Sequence, residues 1–109
     1  MRPALQFSAL SDATRCRLVE MLHERSRPVH ELAAAFEISR PAVSRHLRLL
    51  REAGLVVEER QGRENVYSLH RQSLRTLAVW LDRHWNDRLG RLKKAAEGSV
   101  PEPQMEFDL

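Results

Sequence analysis

The chain has 109 residues, 42% hydrophobic and 30% charged, with a formal net charge of +3. That length makes one globular domain with a modest core. No apolar run approaches a membrane span, and the N-terminus carries no signal-peptide pattern, so a cytoplasmic location is expected.

In chain order, residues 2–10 form a short amphipathic stretch with Leu5, Ala9 and Leu10 as its apolar positions. Asp12 is placed to cap a helix from Ala13 to about Glu24, whose Leu18, Met21 and Leu22 recur at helical spacing. Cys16 falls where a core residue is expected. As the single cysteine, it excludes an intrachain disulfide and a multi-cysteine zinc site within one chain. Ser26 to Pro28 break the helix, and Val29 is expected in a short extended segment. Glu31 to Phe36 form the next helix, with Leu32, Ala35 and Phe36 inward. Glu37, Ile38 and Ser39 then make a turn in which Ile38 fills the corner.

The following helix is the chain's most informative stretch. Ser39 is a good N-cap, Pro41 suits the first turn, and Gly54 is a C-terminal stop. Val43, Leu47 and Leu50 recur at i, i+4 and i+7 as one apolar stripe. With that stripe inward, Pro41, Ser44, Arg45, Arg48 and Glu52 fall on or near the outer face, and Arg40 lies at the helix N-terminus. An apolar back with small and basic residues outside is what a helix needs to lie in a DNA major groove. An ordinary solvated surface helix has the same pattern, and the residues that follow decide between them.

After Gly54 the period changes from helical to alternating. Leu55–Arg60 and Asn65–Leu69 flank Gln61-Gly62-Arg63-Glu64, which reads as a β-hairpin with Arg60 and Arg63 at its tip. A hairpin directly after a groove-reading helix is a wing, and basic wing tips lie on phosphates or in the minor groove.

The last element runs from about Arg71 to Glu97. Leu74, Ala78, Leu81, Trp85, Leu89, Leu92 and Ala96 form one apolar seam, longer than a small core can cover. Pairing with its copy in a two-fold dimer is the simplest use, with Leu5 of the N-terminal stretch added to the interface. Trp80 lies off the seam. Residues 1–98 make the folded domain, and 99–109 an acidic tail expected to be disordered. The tail holds Glu102, Glu106 and Asp108 but no Lys or Arg, so 1–98 carry 18 basic and 12 acidic residues. This basic body favours a polyanionic partner.

Enzyme chemistry finds no support. There is no nucleophile elbow, no phosphate-binding glycine loop and no paired carboxylates near a histidine, so no catalytic residue and no cofactor is assigned. A winged helix that docks a protein or RNA instead of DNA remains open, although the basic face of residues 40–51 argues for DNA.

The segments A-L-S-D-A-T-R-C-R-L-V-E-M-L at 9–22, H-E-L-A at 30–33, S-R-P-A-V-S-R-H-L-R-L-L-R-E-A-G-L-V at 39–56 and G-R-E-N-V-Y-S-L at 62–69 resemble the ArsR/SmtB family of bacterial transcriptional regulators. The resemblance spans about residues 5–95 and rests on the whole ordered set. It implies a mainly α fold with a β-hairpin wing, a homodimeric winged helix-turn-helix joined through its terminal helices. It also implies a repressor that releases operator DNA when an effector binds.

The family's metal sites do not carry over. Its Cys-x-Cys before the E-L-A helix falls here on Pro28 and His30. Its C-terminal-helix site begins with Asp-x-His, matched by Asp82 and His84, but the later ligand positions fall on Ala95 and Gly98. Tetrahedral zinc needs four ligands, or three and water. The chain therefore resembles the subset lacking the metal ligands, and no metal or effector is assigned. A metal-responsive repressor with a different site stays open as an alternative.

Double-stranded operator DNA is the expected partner. Arg40 and Arg45 are the candidates for reading guanine, Ala42 for meeting a thymine methyl, and Ser39 and Ser44 for polar or phosphate contacts. Arg48 falls near the backbone, and Arg60 and Arg63 supply sequence-independent affinity. His46 is ambiguous, since the helical wheel turns it toward the core edge.

Overall fold

A computed structural model describes residues 2–95, with side chains through residue 85. It divides into two compact units, Met1–Ala78 and Val79–Leu109. The first holds helices α1 (Pro3–Leu10), α2 (Ala13–Glu24), α3 (Val29–Ala34) and α4 (Arg40–Glu52), and strands β1 (Arg27–Pro28), β2 (Val56–Gln61) and β3 (Glu64–Leu69). The last described element is helix α5 (Arg71–Ala95).

Local chemistry sets the helix starts. Asp12 accepts the Arg15 backbone N–H at 3.1 Å and opens α2, and Ser39 Oγ accepts that of Ala42 at 3.2 Å and opens α4. Leu18, Leu32, Val43, Leu47, Leu50 and Leu55 are 0% exposed and form the centre of the core, so α2, α3, α4 and the base of the hairpin share one apolar interior. Gln6 is also buried, and its amide donates to the Ala53 carbonyl at 3.4 Å, tying α1 to the end of α4.

The sheet has one more strand than the sequence reading foresees. β1 pairs antiparallel with β3 through Arg27 and Tyr67, giving the order β1-β3-β2. Val29 is therefore not extended but the first residue of α3, and the extended pair lies just before it. Ala35 is exposed rather than inward, because α3 ends at Ala34 and Ala33 takes the place against the core. Ile38 is 41% exposed and fills no corner.

The hairpin loop is the two residues Gly62 and Arg63. Gly62 has φ +64° and Arg63 has no positive φ, as a II′ turn requires. At the other junction, Gly54 adopts φ +75° and ends α4, and Leu55 leads directly into β2.

In α5, Leu77 is buried and Leu74 packs against the core, so the first turns of the helix belong to the first unit. Ala78 is half-buried, whereas Val79, Leu81 and Trp85 are exposed. Leu89 and Leu92 lie on helical backbone but outside the described side chains. Ala96, the end of the helix near Glu97 and the acidic tail also lie outside the described residues.

A Cβ at Gly54 would meet nothing within 4 Å, so a substitution there is limited by backbone strain alone. Gly54→Ala is expected to lose about 1–2 kcal/mol in urea unfolding and Gly54→Asn distinctly less, since Asn tolerates the left-handed conformation. Equal losses for the two would mean that φ is not the limiting factor.

Candidate nucleic-acid interface

Helix α4 presents two unlike faces. Val43, Leu47 and Leu50 are fully buried on one side, and Arg40, Pro41, Arg45, Arg48 and Glu52 are exposed on the other. Ala42 and Ser44 are half-buried between them. Ser39 is exposed, with its hydroxyl oxygen engaged by the cap. Because the buried stripe is locked in the core, the rotation of the helix about its axis is fixed, and with it the direction in which Arg45 and Arg48 leave the surface.

The hairpin supplies the second part. Arg60 and Arg63 are exposed at the tip, and Arg60 Nε donates to the Gly62 carbonyl at 3.3 Å, which holds the arginine along the turn. Between α4 and the hairpin lies an open groove lined by Ser44, Arg45, Arg48 and Arg51 from the helix and Glu58 and Tyr67 from the strands. Arg51 pairs with the Glu58 carboxylate, and Glu58 stands directly across the ladder from Tyr67. Burial first, and then the charge and hydrogen bonding of Glu58, push the Tyr67 hydroxyl above the usual 10.0.

Arg51, Glu58 and Tyr67 are absent from the residues singled out by sequence. Arg51 does follow Arg48 by three positions, one helical turn on, and cross-strand register would have joined Glu58 to Tyr67.

His46 faces α2 rather than the outer surface. Its Nδ1 is 3.1 Å from Arg15 Nη1 and 3.9 Å from Asp12 Oδ1. Arginine has only donors, so Nδ1 is the acceptor here. Arg15 Nε also donates to the Ala9 carbonyl at 2.6 Å, so one guanidinium ties α1, α2 and α4 together. The Arg15 backbone N–H, and then the charge of Arg15, hold the Asp12 carboxyl below its ordinary value against the opposing effect of burial.

Cys16 is half-buried and its thiol donates to the Leu10 carbonyl at 2.8 Å. Pro28 lies in β1, and His30 is exposed, 3.3 Å from Glu64. His84 stacks on Trp80 at 4.2 Å, with Nδ1 2.8 Å from the Trp80 carbonyl. Among the described residues, no three His, Cys, Asp or Glu side chains converge as a metal site.

A helix pair followed by a hairpin, with arginines on the outer face of the second helix and at the hairpin tip, defines a winged helix-turn-helix protein that binds DNA. Residues 12–57 match the family described as bacterial regulatory protein, arsR family. The chain is 41% identical over 87 residues to the HTH-type transcriptional regulator Rv2034 of Mycobacterium tuberculosis, covering 80% of this chain and 81% of that one. It is 37% identical over 83 residues to the arsenic resistance transcriptional regulator ArsR1 of Pseudomonas putida, covering 75% and 62%. The solved structure of an ArsR-like transcriptional regulator from a Rhodococcus species superposes with a TM-score of 0.73 at 34% identity, covering 88% of this chain and 93% of that one. The chain belongs to the ArsR family of transcriptional regulators and is not an enzyme.

Because the Tyr67 hydroxyl is raised, the folded state holds its proton longer than the unfolded chain. Stability from this group is complete below pH 10.0 and falls as pH rises through the folded value. Tyr67→Phe should flatten the alkaline loss of stability above that pH, as read by urea unfolding at a series of pH values. An unchanged alkaline slope would remove Tyr67 as its source.

Proposed function

We propose that the chain is a homodimeric repressor that binds a pseudo-palindromic operator, each subunit placing α4 in a major groove and its hairpin on the flanking backbone. The observation that carries this reading is the two-faced α4, buried behind and basic in front, followed without a linker by a hairpin tipped with arginines. Half-sites are expected about one helical turn apart or a multiple of it. Arg40 and Arg45 read base edges, with Ala42 and Ser44 beside them. Ser39, Arg48, Arg60 and Arg63 meet the backbone. The transcriptional repressor SdpR of Bacillus subtilis, to which the chain is 32% identical over 75 residues, supports the direction of regulation.

The dimer contact is assigned to Leu5 of α1 and to Leu81, Trp85, Leu89 and Leu92 of α5, with Leu74 and Ala78 at the root of the seam. In support, Leu5, Leu81 and Trp85 are 40%, 37% and 48% exposed, which leaves these apolar side chains open to a partner. No helix among the described residues is long and apolar enough to cross a membrane, and a cytoplasmic setting suits a protein whose partner is DNA. Some relatives are named for arsenic resistance. Here Pro28 and His30 occupy the family's Cys-x-Cys positions, so no arsenic response is assigned and the effector is left open.

Titration against the DNA immediately upstream of the gene, with a scrambled duplex as control, tests the reading. Arg45→Ala should relax sequence preference by roughly 1–3 kcal/mol at the position it reads. Arg63→Ala should weaken all duplexes nearly equally and lower the salt slope by about one. Equal losses on both duplexes for Arg45→Ala would remove it as a base reader. No preference for the upstream DNA, from a folded dimer, would favour a protein-docking role.

Trp85→Glu should shift sedimentation from dimer toward monomer without lowering helical content. An unchanged mass would place the interface elsewhere.

A further inference from the structure

The groove between α4 and the hairpin contains one feature that works against DNA affinity. Arg45, Arg48 and Arg51 line it, and so does a carboxylate, Glu58. The Glu58 side chain is 21% exposed and pairs with Arg51, which is 48% exposed. On the DNA-binding reading above, the sugar–phosphate strand between the major groove filled by α4 and the minor groove beside the wing passes over this groove. A fixed negative charge there repels phosphate, and it also occupies the guanidinium that would otherwise meet it.

The same carboxylate has a positive task. Arg51 comes from the last turn of α4 and Glu58 from β2, so their pair braces the wing against the helix. Tyr67, 7% exposed, stands across the ladder from Glu58 on β3 and lines the same groove. On an operator, where base contacts fix the register, a braced wing meets its phosphates without further ordering. On random DNA the electrostatic attraction supplies essentially all of the affinity. Neutralising one arginine of the groove therefore costs the random complex more than the specific one.

We propose that Glu58 is a specificity-determining residue: by pairing with Arg51 under the wing it suppresses sequence-independent DNA binding while holding the wing in the geometry that operator binding uses. Glu59 is the internal comparison. It is the next residue on β2, points to the opposite face of the strand, is exposed, and carries the same charge.

The test measures binding of the full chain to the upstream duplex and to a random duplex of equal length over a salt series. Variants are Glu58→Gln and Glu59→Gln, each checked by thermal unfolding. Glu58→Gln should tighten random-DNA binding several-fold and steepen its salt slope by about one per subunit, because Arg51 is released to a phosphate. Upstream-DNA binding should tighten less, so that the operator-to-random ratio falls, and Glu59→Gln should change the ratio little. In Arg51→Gln/Glu58→Gln the steeper slope should disappear.

Should Glu58→Gln unfold early, Glu58→Thr removes the same charge with a side chain that strands favour. Wild-type preference for the upstream duplex, with a Glu58→Gln ratio and slope unchanged or matched by Glu59→Gln, overturns this proposal and leaves operator binding standing. Equal weakening on both duplexes overturns it too, since that marks a structural role alone. Absence of any wild-type preference overturns both readings together.

Discussion

The buried stripe of Val43, Leu47 and Leu50 is the constraint on which the rest of the molecule depends. All three are 0% exposed and meet Leu18, Leu22 and Leu32 in one core. Interiors packed to crystal-like density allow little rotation of a helix that contributes three such side chains. The outer face of α4 is therefore aimed by its inner face. The arginines need no supporting scaffold of their own, because the leucines behind them already fix where the backbone lies.

Much of this was legible in the sequence, for local reasons. The caps at Asp12 and Ser39, the i, i+4, i+7 stripe and the stop at Gly54 are short-range signals, and α2 and α4 start where those residues place them. The change from helical to alternating period located the hairpin. The errors came where non-local contacts decide. β1 exists because Arg27 and Pro28 reach β3 across nearly forty positions, and no pattern within two residues signals a strand. Val29, Ala35 and Ile38 were misplaced for a different reason: the ends of a six-residue helix can slip by two residues with little change in its periodicity.

The candidate interface was legible in its exposed arginines and not in its braces. A charged residue on a helix exterior announces itself by position, but a pair such as Arg51 and Glu58 joins a helix to a strand and depends on how the two dock. His46 shows the opposite case. The helical wheel turned it to the core edge without naming its partner, and the partner, Arg15, lies thirty-one residues earlier on α2. One guanidinium there links three helices, so the first unit is held by polar ties as well as by its leucines.

The strand order also bears on how molecules meet when crowded on neighbouring DNA sites. In the order β1-β3-β2, β2 is an outer strand, with one row of backbone groups not paired within the sheet. Such an edge is a template on which a second chain can add a strand. Here the two valines at the base of β2 give way at once to Glu58, Glu59 and Arg60, and charged side chains along an edge strand work against the addition of another strand. A charged edge of this kind lets many copies gather on a polyanion without zippering into a continuous sheet.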